Sequence, residues 1–199
     1  LAVNASSVAV QGGRVVDQVV EDLNSLLGVP EEDMIKISAK EGLNVEEFLR
    51  LAIRLSEILG ELHRRDISHR DIKPHNILLN RQTDTLKITD FGISEKSEQV
   101  YGDMAEEPDT IEGTLAYISP EQTGRVNLGV DYRTDLYSLG VTFYEMLTGE
   151  LPFTSRDPME IIHGHIARMP VPPCHVKQSI PEPVSDIVMR LLAKSPSER

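Results

Sequence analysis

The amino-acid sequence predicts an α+β chain that is mainly helical and carries one small β-hairpin. Runs of apolar residues at helical spacing, closed by Gly or Pro, supply the helices. Two short strand-like runs on either side of a polar turn supply the hairpin, and a long acidic stretch poor in apolar residues follows it.

Val16, Val19, Val20, Leu23, Leu26 and Leu27 share one helical face, and Gly28 followed by Pro30 stops that helix. Met34 to Ser38 alternates and reads as a short strand. Asn44 with Glu47 forms a capping box for a long amphipathic helix, with Phe48, Leu51, Leu55, Ile58, Leu59 and Leu62 on one face. His69 to Asn76 is polar and contains Pro74, so it is a loop. Ile77 to Leu79 and Leu86 to Thr89 are the strands, with Arg81 to Thr85 between them. From Phe91 to about Ile111 the chain is an acidic loop, long enough to be functional or disordered. Three helices follow. One runs from about Thr134 to Thr148 and ends at Gly149. Another starts with Asp157 as N-cap, Pro158 as first helical residue and Glu160 as capping partner. The last carries Val184, Ile187, Val188, Leu191 and Leu192 on one stripe.

The 199 residues suffice for one sizeable core. Their net charge of −12 argues against nucleic acid or an anionic membrane as main partner. A single cysteine, Cys174, leaves no internal disulfide and suits a reducing, cytoplasmic setting. No run approaches the roughly 18 apolar residues of a membrane span. The chain opens at Leu1 without a basic leader and stops at Arg199, and it reads as a piece of something larger. His163 and His165, two apart on one helix, are expected at the surface rather than as metal ligands.

The chemistry-bearing residues concentrate in His69-Arg70-Asp71-Ile72-Lys73-Pro74-His75-Asn76. This run resembles the catalytic loop of protein kinases, H-R-D-x-K-x-x-N, at every defining position. Phosphoryl transfer asks for an oriented hydroxyl and neutralised phosphate charge rather than covalent chemistry. The resemblance makes Asp71 the acceptor of the hydroxyl proton, Lys73 the cation that reaches the same phosphate, and Asn76 a ligand of Mg2+.

Further motifs follow in order. Asp90-Phe91-Gly92 closes the second strand where kinases place D-F-G, which implies that Asp90 holds the metal bridging the phosphates of ATP. It also implies that Phe91 packs on the helix bearing the catalytic loop. Leu78 and its neighbours would offer part of an adenine floor. Gly113-Thr114 and Ser119-Pro120-Glu121 resemble the end of an activation segment, with Ser119 where Ala is usual. Thr110, four residues before Thr114, occupies the place of a regulatory phosphosite that Arg70 would pair with. Asp131 to Gly140 resembles the start of the central helix, where Asp135 would bond to the catalytic-loop backbone. Leu191 to Arg199 resembles the closing motif, whose arginine, Arg199, pairs with Glu121. Lys73 after Asp71, and Gly113-Thr114 before Tyr117, place the resemblance in the Ser/Thr branch. The wording from Glu112 to Arg125 is similar to kinase domains that head large bacterial multi-domain signalling proteins.

Kinases of this kind bind ATP between two lobes, and little of the small lobe is legible here. Gly12-Gly13 lacks the spacing of a Gly-rich loop, and Lys36 stands too close to Asp71 to be the strand lysine. Residues from about Val15 to Glu47 instead resemble the end of a translational GTPase G domain, without its nucleotide-binding motifs. The expectation is therefore a short α/β segment over residues 1–43 and a protein-kinase-like large lobe over 44–199. The implied function is ATP- and Mg2+-dependent phosphorylation of Ser/Thr on a protein, with further signalling domains in the parent. A catalytically inactive binding lobe and a truncated fusion fragment are the alternatives. By itself the chain is expected to transfer phosphate weakly or not at all.

Overall fold

The structure, a computed structural model, describes residues 16–23, 45–80, 85–91 and 115–199. Helix α1 covers residues 16–23 and α2 covers Val45–Arg64. The hairpin strands are β1 (Ile77–Asn80) and β2 (Thr85–Ile88). Helices α3 (Arg133–Thr148), α4 (Pro158–Ala167), α5 (Pro173–Val176) and α6 (Glu182–Leu191) complete the order. The expected strand at 34–38, the cap at Asn44 and most of the acidic loop lie outside the described residues.

Helix α2 begins with Glu46 and Glu47 and ends with His63 and Arg64, charges that complement its dipole. Its apolar stripe of Phe48, Leu51, Leu55 and Leu59 is buried, with Phe48 edge-on to Phe143 of α3 at 5.3 Å between ring centres. Ile58 and Leu62 pack at the margin of the same core.

Helix α3 is the axis of the fold. Every residue from Thr134 to Tyr144 is buried, which requires neighbours on all sides. Two of its buried hydroxyls turn onto backbone: Thr142 Oγ1 donates to Ser138 O at 2.9 Å and Ser138 Oγ to Tyr117 O at 2.8 Å. Gly140 lets α6 approach, since a Cβ there would stand 2.7 Å from that of Leu191. Gly149 ends α3 at φ 80°, its N–H bonded to Glu145 O.

The entry to α4 departs from the expected capping box. Asp157 Oδ1 accepts from Met159 N–H at 2.9 Å, as an N-cap should. Glu160, however, accepts from the Ser155 hydroxyl at 2.7 Å, and Ser155 Oγ itself accepts from Asp157 N–H at 3.1 Å. Ser155 thus stands between the two expected partners. The short helix α5 and the 3-10 turns Pro74–Asn76, Pro120–Thr123 and Pro196–Glu198 each begin with a proline, and all are too short for apolar periodicity to reveal.

One core joins these elements, and α1 contributes Val16, Val19 and Leu23 to it. Gly60 of α2 makes room for α1, since a Cβ there would stand 3.2 Å from a methyl carbon of Val16. Asp17 pairs with Arg64 at 3.0 Å, and Asp22 pairs with Arg190 of α6. The hairpin is antiparallel, with Ile77 opposite Ile88 and Asn80 opposite Thr85. Ile88 faces the core, while Leu78 is 55% exposed on the other side. Among the described residues no helix is long and apolar enough to cross a membrane.

If α1 is part of this core, Leu23→Ala should lose about 2–5 kcal/mol of stability in urea unfolding. Asp17→Ala, which removes only an exposed ion pair, should lose less than about 1 kcal/mol. Equal and small losses would show that α1 does not contribute to the cooperative unit.

Candidate active site

The loop after α2 is organised by a carboxylate that arrives from α3. Asp135 is fully buried. Its Oδ2 accepts from His69 N–H at 2.8 Å and His63 Nε2 at 2.9 Å, and its Oδ1 from Arg70 N–H at 2.6 Å. Three donors on one carboxylate offset the loss of water around a buried charge. Arg70 takes φ +67°, a left-handed conformation that non-glycine residues rarely adopt.

His69 then links two segments. Its Nδ1 accepts from Asp71 N–H at 3.3 Å, so Nε2 carries the proton and donates to Thr89 O at 2.9 Å. One imidazole therefore ties the backbone of Asp71 to the residue before Asp90. Thr89 N–H also donates to Asn76 O at 2.8 Å, which closes the loop between the 3-10 turn and the end of β2.

Asp71, Lys73 and Asn76 converge. Lys73 Nζ lies 2.8 Å from Asp71 Oδ2, and Asn76 Nδ2 donates to that same oxygen at 3.0 Å and to Asp71 O at 2.8 Å. Both acceptors call for the NH2 end of the Asn76 amide, which leaves its Oδ1 available to a cation. Asp90 is exposed and sits at φ 56°. Among the described residues no cluster of His, Cys, Asp and Glu could hold a metal as a protein-only site. An amide oxygen and a carboxylate do fit Mg2+, a hard ion that takes one or two protein oxygens beside phosphate. Phe91 is 42% exposed, and its ring meets His69 of the loop at 4.9 Å.

The far side of the site is held by Glu121 and Arg199, both side chains without exposure. They meet in a two-pronged pair, Nη1 to Oε1 at 2.5 Å and Nη2 to Oε2 at 2.9 Å. The remaining guanidinium protons go to the carbonyls of Ala193, Arg133 and Lys194, so all five donors are used. The structure thus contains the expected pairing of Arg199 with Glu121 and of Asp135 with the loop backbone. Gly92, Thr110 and Thr114 lie outside the described residues.

A protein kinase domain model matches residues 27–199. The chain belongs to the protein kinase family. It is 34% identical to a probable serine/threonine-protein kinase of Clostridium perfringens, over 90% of this chain and 26% of that protein. It is 37% identical to the serine/threonine-protein kinase PknB of Mycobacterium tuberculosis, over 72% of this chain and 22% of that protein. A third relative, the hybrid signal transduction histidine kinase G of Dictyostelium discoideum, is 32% identical over 79% of this chain and 6% of that protein. The chain thus spans about a quarter of the length of the first curated relatives it matches. Kinases of this family use ATP and Mg2+.

This kinase chain also holds a buried polar cluster that sequence reasoning missed. His163 is exposed as expected, but His165 is fully buried. Spacing within one helix relates the two histidines only to each other and carries no sign of Tyr137 of α3 arriving on one of them. Lys194 Nζ donates to Tyr137 Oη at 3.3 Å and to Gly164 O at 3.1 Å. The ammonium can only donate, so the phenol passes its own proton toward His165 Nδ1 at 3.0 Å. Burial pushes the Tyr137 phenol above its ordinary value, and burial followed by the Arg199 charge brings Lys194 down to about 8. His63, similarly, gives no signal in sequence, because its partner Asp135 lies 72 residues away.

Burial, then the charge of Lys194, hold the His165 imidazole down from 6.5 to about 3. The unfolded chain therefore binds a proton that the folded chain refuses between those values, and stability falls as pH drops through that window. The slope from this group approaches about 1.4 kcal/mol per pH unit at most. His165→Asn should flatten the pH dependence of the urea midpoint between about pH 6.5 and 4 relative to the unmodified chain. Parallel pH profiles would contradict the assignment.

Proposed function

We propose that this chain provides the large lobe of a Ser/Thr protein kinase, transferring the γ-phosphoryl of ATP to a Ser or Thr hydroxyl of a protein. The observation that carries the reading is the convergence of Lys73 and Asn76 on one oxygen of Asp71. A single imidazole, His69, ties that aspartate to the strand end bearing Asp90. The names of the bacterial relatives support the Ser/Thr class.

In this reading Asp71 receives the proton of the substrate hydroxyl, and Lys73 faces the same phosphate while steadying the Asp71 carboxylate. Asn76 Oδ1 and the Asp90 carboxylate would hold Mg2+, which when bound neutralises phosphate charge. Leu78, exposed on the hairpin, would lie under the adenine. Residues 1–43 are proposed as a short segment of GTPase-like resemblance and residues 44–199 as the kinase lobe, while the kinase family match itself reaches back to residue 27. That division concerns resemblance, since Val16, Val19 and Leu23 share the core. A second reading, a lobe that docks partners without catalysis, is favoured by the exposure of Leu78 and Phe91 on the hairpin side.

Asp71→Asn in the intact protein that carries this lobe should reduce peptide phosphorylation roughly 10^3-fold with nucleotide affinity nearly unchanged. Retained turnover would remove Asp71 from this role, and absence of transfer in the unmodified protein would favour the docking reading. Asp90→Ala should weaken nucleotide binding about tenfold or more in the presence of Mg2+ and leave metal-free binding alone. Calorimetric titration with and without Mg2+ distinguishes these cases, and equal affinities for both variants would count against a metal role.

A further inference from the structure

Arg70 O and Asp71 N–H belong to one planar peptide unit. Both polar ends of that unit are held. Asp71 N–H donates to His69 Nδ1 at 3.3 Å, and Arg70 O accepts from Gln122 Nε2 at 2.9 Å. The unit before it is held as well, through Arg70 N–H on Asp135 at 2.6 Å. The residue so gripped is the one at φ +67°.

The direction of the Gln122 amide follows from its other partner. Gln122 Oε1 accepts from Ser119 N–H at 3.1 Å, a group that can only donate. The NH2 end therefore faces the Arg70 carbonyl, a group that can only accept. The Ser119 hydroxyl reinforces this, standing 3.1 Å from Gln122 Oε1 and 3.3 Å from Thr134 Oγ1. Thr134 Oγ1 in turn donates to Glu121 Oε1 at 3.0 Å, on the carboxylate that Arg199 grips. Polar contacts run from Arg199 through Glu121, Thr134, Ser119 and Gln122 to the peptide that bears Asp71, the single Ser119 hydroxyl proton serving either Gln122 Oε1 or Thr134 Oγ1 at a time. An alanine at position 119, the usual residue there in the resemblance, would lack the hydroxyl.

We propose that Gln122 is a positioning residue for Asp71, fixing the Arg70–Asp71 peptide plane with its amide direction set by Ser119. This rests on the reading of Asp71 as the group that receives the substrate proton. Asp71 projects from that plane, so a plane free to rotate carries the carboxylate out of line with the hydroxyl it must meet.

The test has an arm that needs no catalysis. Amide hydrogen exchange at Arg70 and Asp71 is followed by NMR in the 199-residue chain and in Q122M, Q122E and S119A. Protection at both amides should fall about tenfold in Q122M and in Q122E at about pH 7, and less in S119A. In Q122E it should return toward the unmodified chain at the same pH as the solution is taken below about pH 4.3, because a protonated carboxyl donates again. Q122M, which keeps the length of the side chain, should show no such return. Unchanged protection in Q122M, or a Q122E that does not recover while still folded by thermal melting, overturns the proposal. In the intact protein, Q122M should lower kcat about tenfold with KM for Mg·ATP within about twofold. Unchanged kcat alongside transfer that Asp71→Asn abolishes overturns the positioning role. Absence of any transfer sensitive to Asp71→Asn would instead fail the kinase reading, and the exchange arm then judges the Gln122 clamp separately.

Discussion

Everything around the site depends on one charge placed where water cannot reach it. A carboxylate as buried as that of Asp135 is tolerated only when protein donors replace its hydration, and these come from three backbone or ring N–H groups. The donors belong to the end of α2 and to the two residues preceding Asp71. Satisfying the charge therefore draws the loop onto α3 in one conformation. The left-handed Arg70 is a consequence, since it presents two successive backbone N–H groups to the same side chain. Loss of one donor would leave part of a buried charge unanswered, which ties loop geometry directly to fold stability.

The pair between Glu121 and Arg199 works by the same logic on the opposite flank. Buried ion pairs seldom outdo apolar packing in stability, but their directional bonds admit few alternative arrangements. Here all five guanidinium protons have a stated acceptor, and the ring of Tyr137 lies 4.9 Å from the guanidinium carbon. Position 121 is thereby held against Arg199 and the start of α3 at once. The segment around Ser119 and Gln122 consequently meets the loop that bears Asp71 at a fixed distance.

Local features of this arrangement were legible in sequence, and non-local ones were not. The helical stripes of α2 and α6, the glycine stop at Gly149 and the hairpin, to within one residue at its strand ends, follow from spacing and turn chemistry acting within a few residues. Asp71, Lys73, Asn76, Asp90, Glu121, Asp135 and Arg199 were legible because their spacing resembles a known pattern. Tyr137, His165 and Lys194 come from separate helices and loops, 28 and 57 residues apart along the chain, and no periodicity relates them. The face of α1 was readable, but not that α2 and α6 would receive it. The expected box at Asp157 failed for a smaller reason, since Ser155 offered both partners a nearer hydrogen bond.

The separations along the chain carry a consequence for synthesis. His69 leaves the ribosome 66 residues before the carboxylate that orders it, and Glu121 precedes its arginine by 78. Until those later residues emerge, the nascent loop around Asp71 has no reason to adopt its strained form, and α3 has no complete set of neighbours. Such late closure makes for slow folding and leaves apolar helices uncovered during translation. The same long-range pairs that give the finished site its rigidity thus postpone its assembly until Arg199 has emerged.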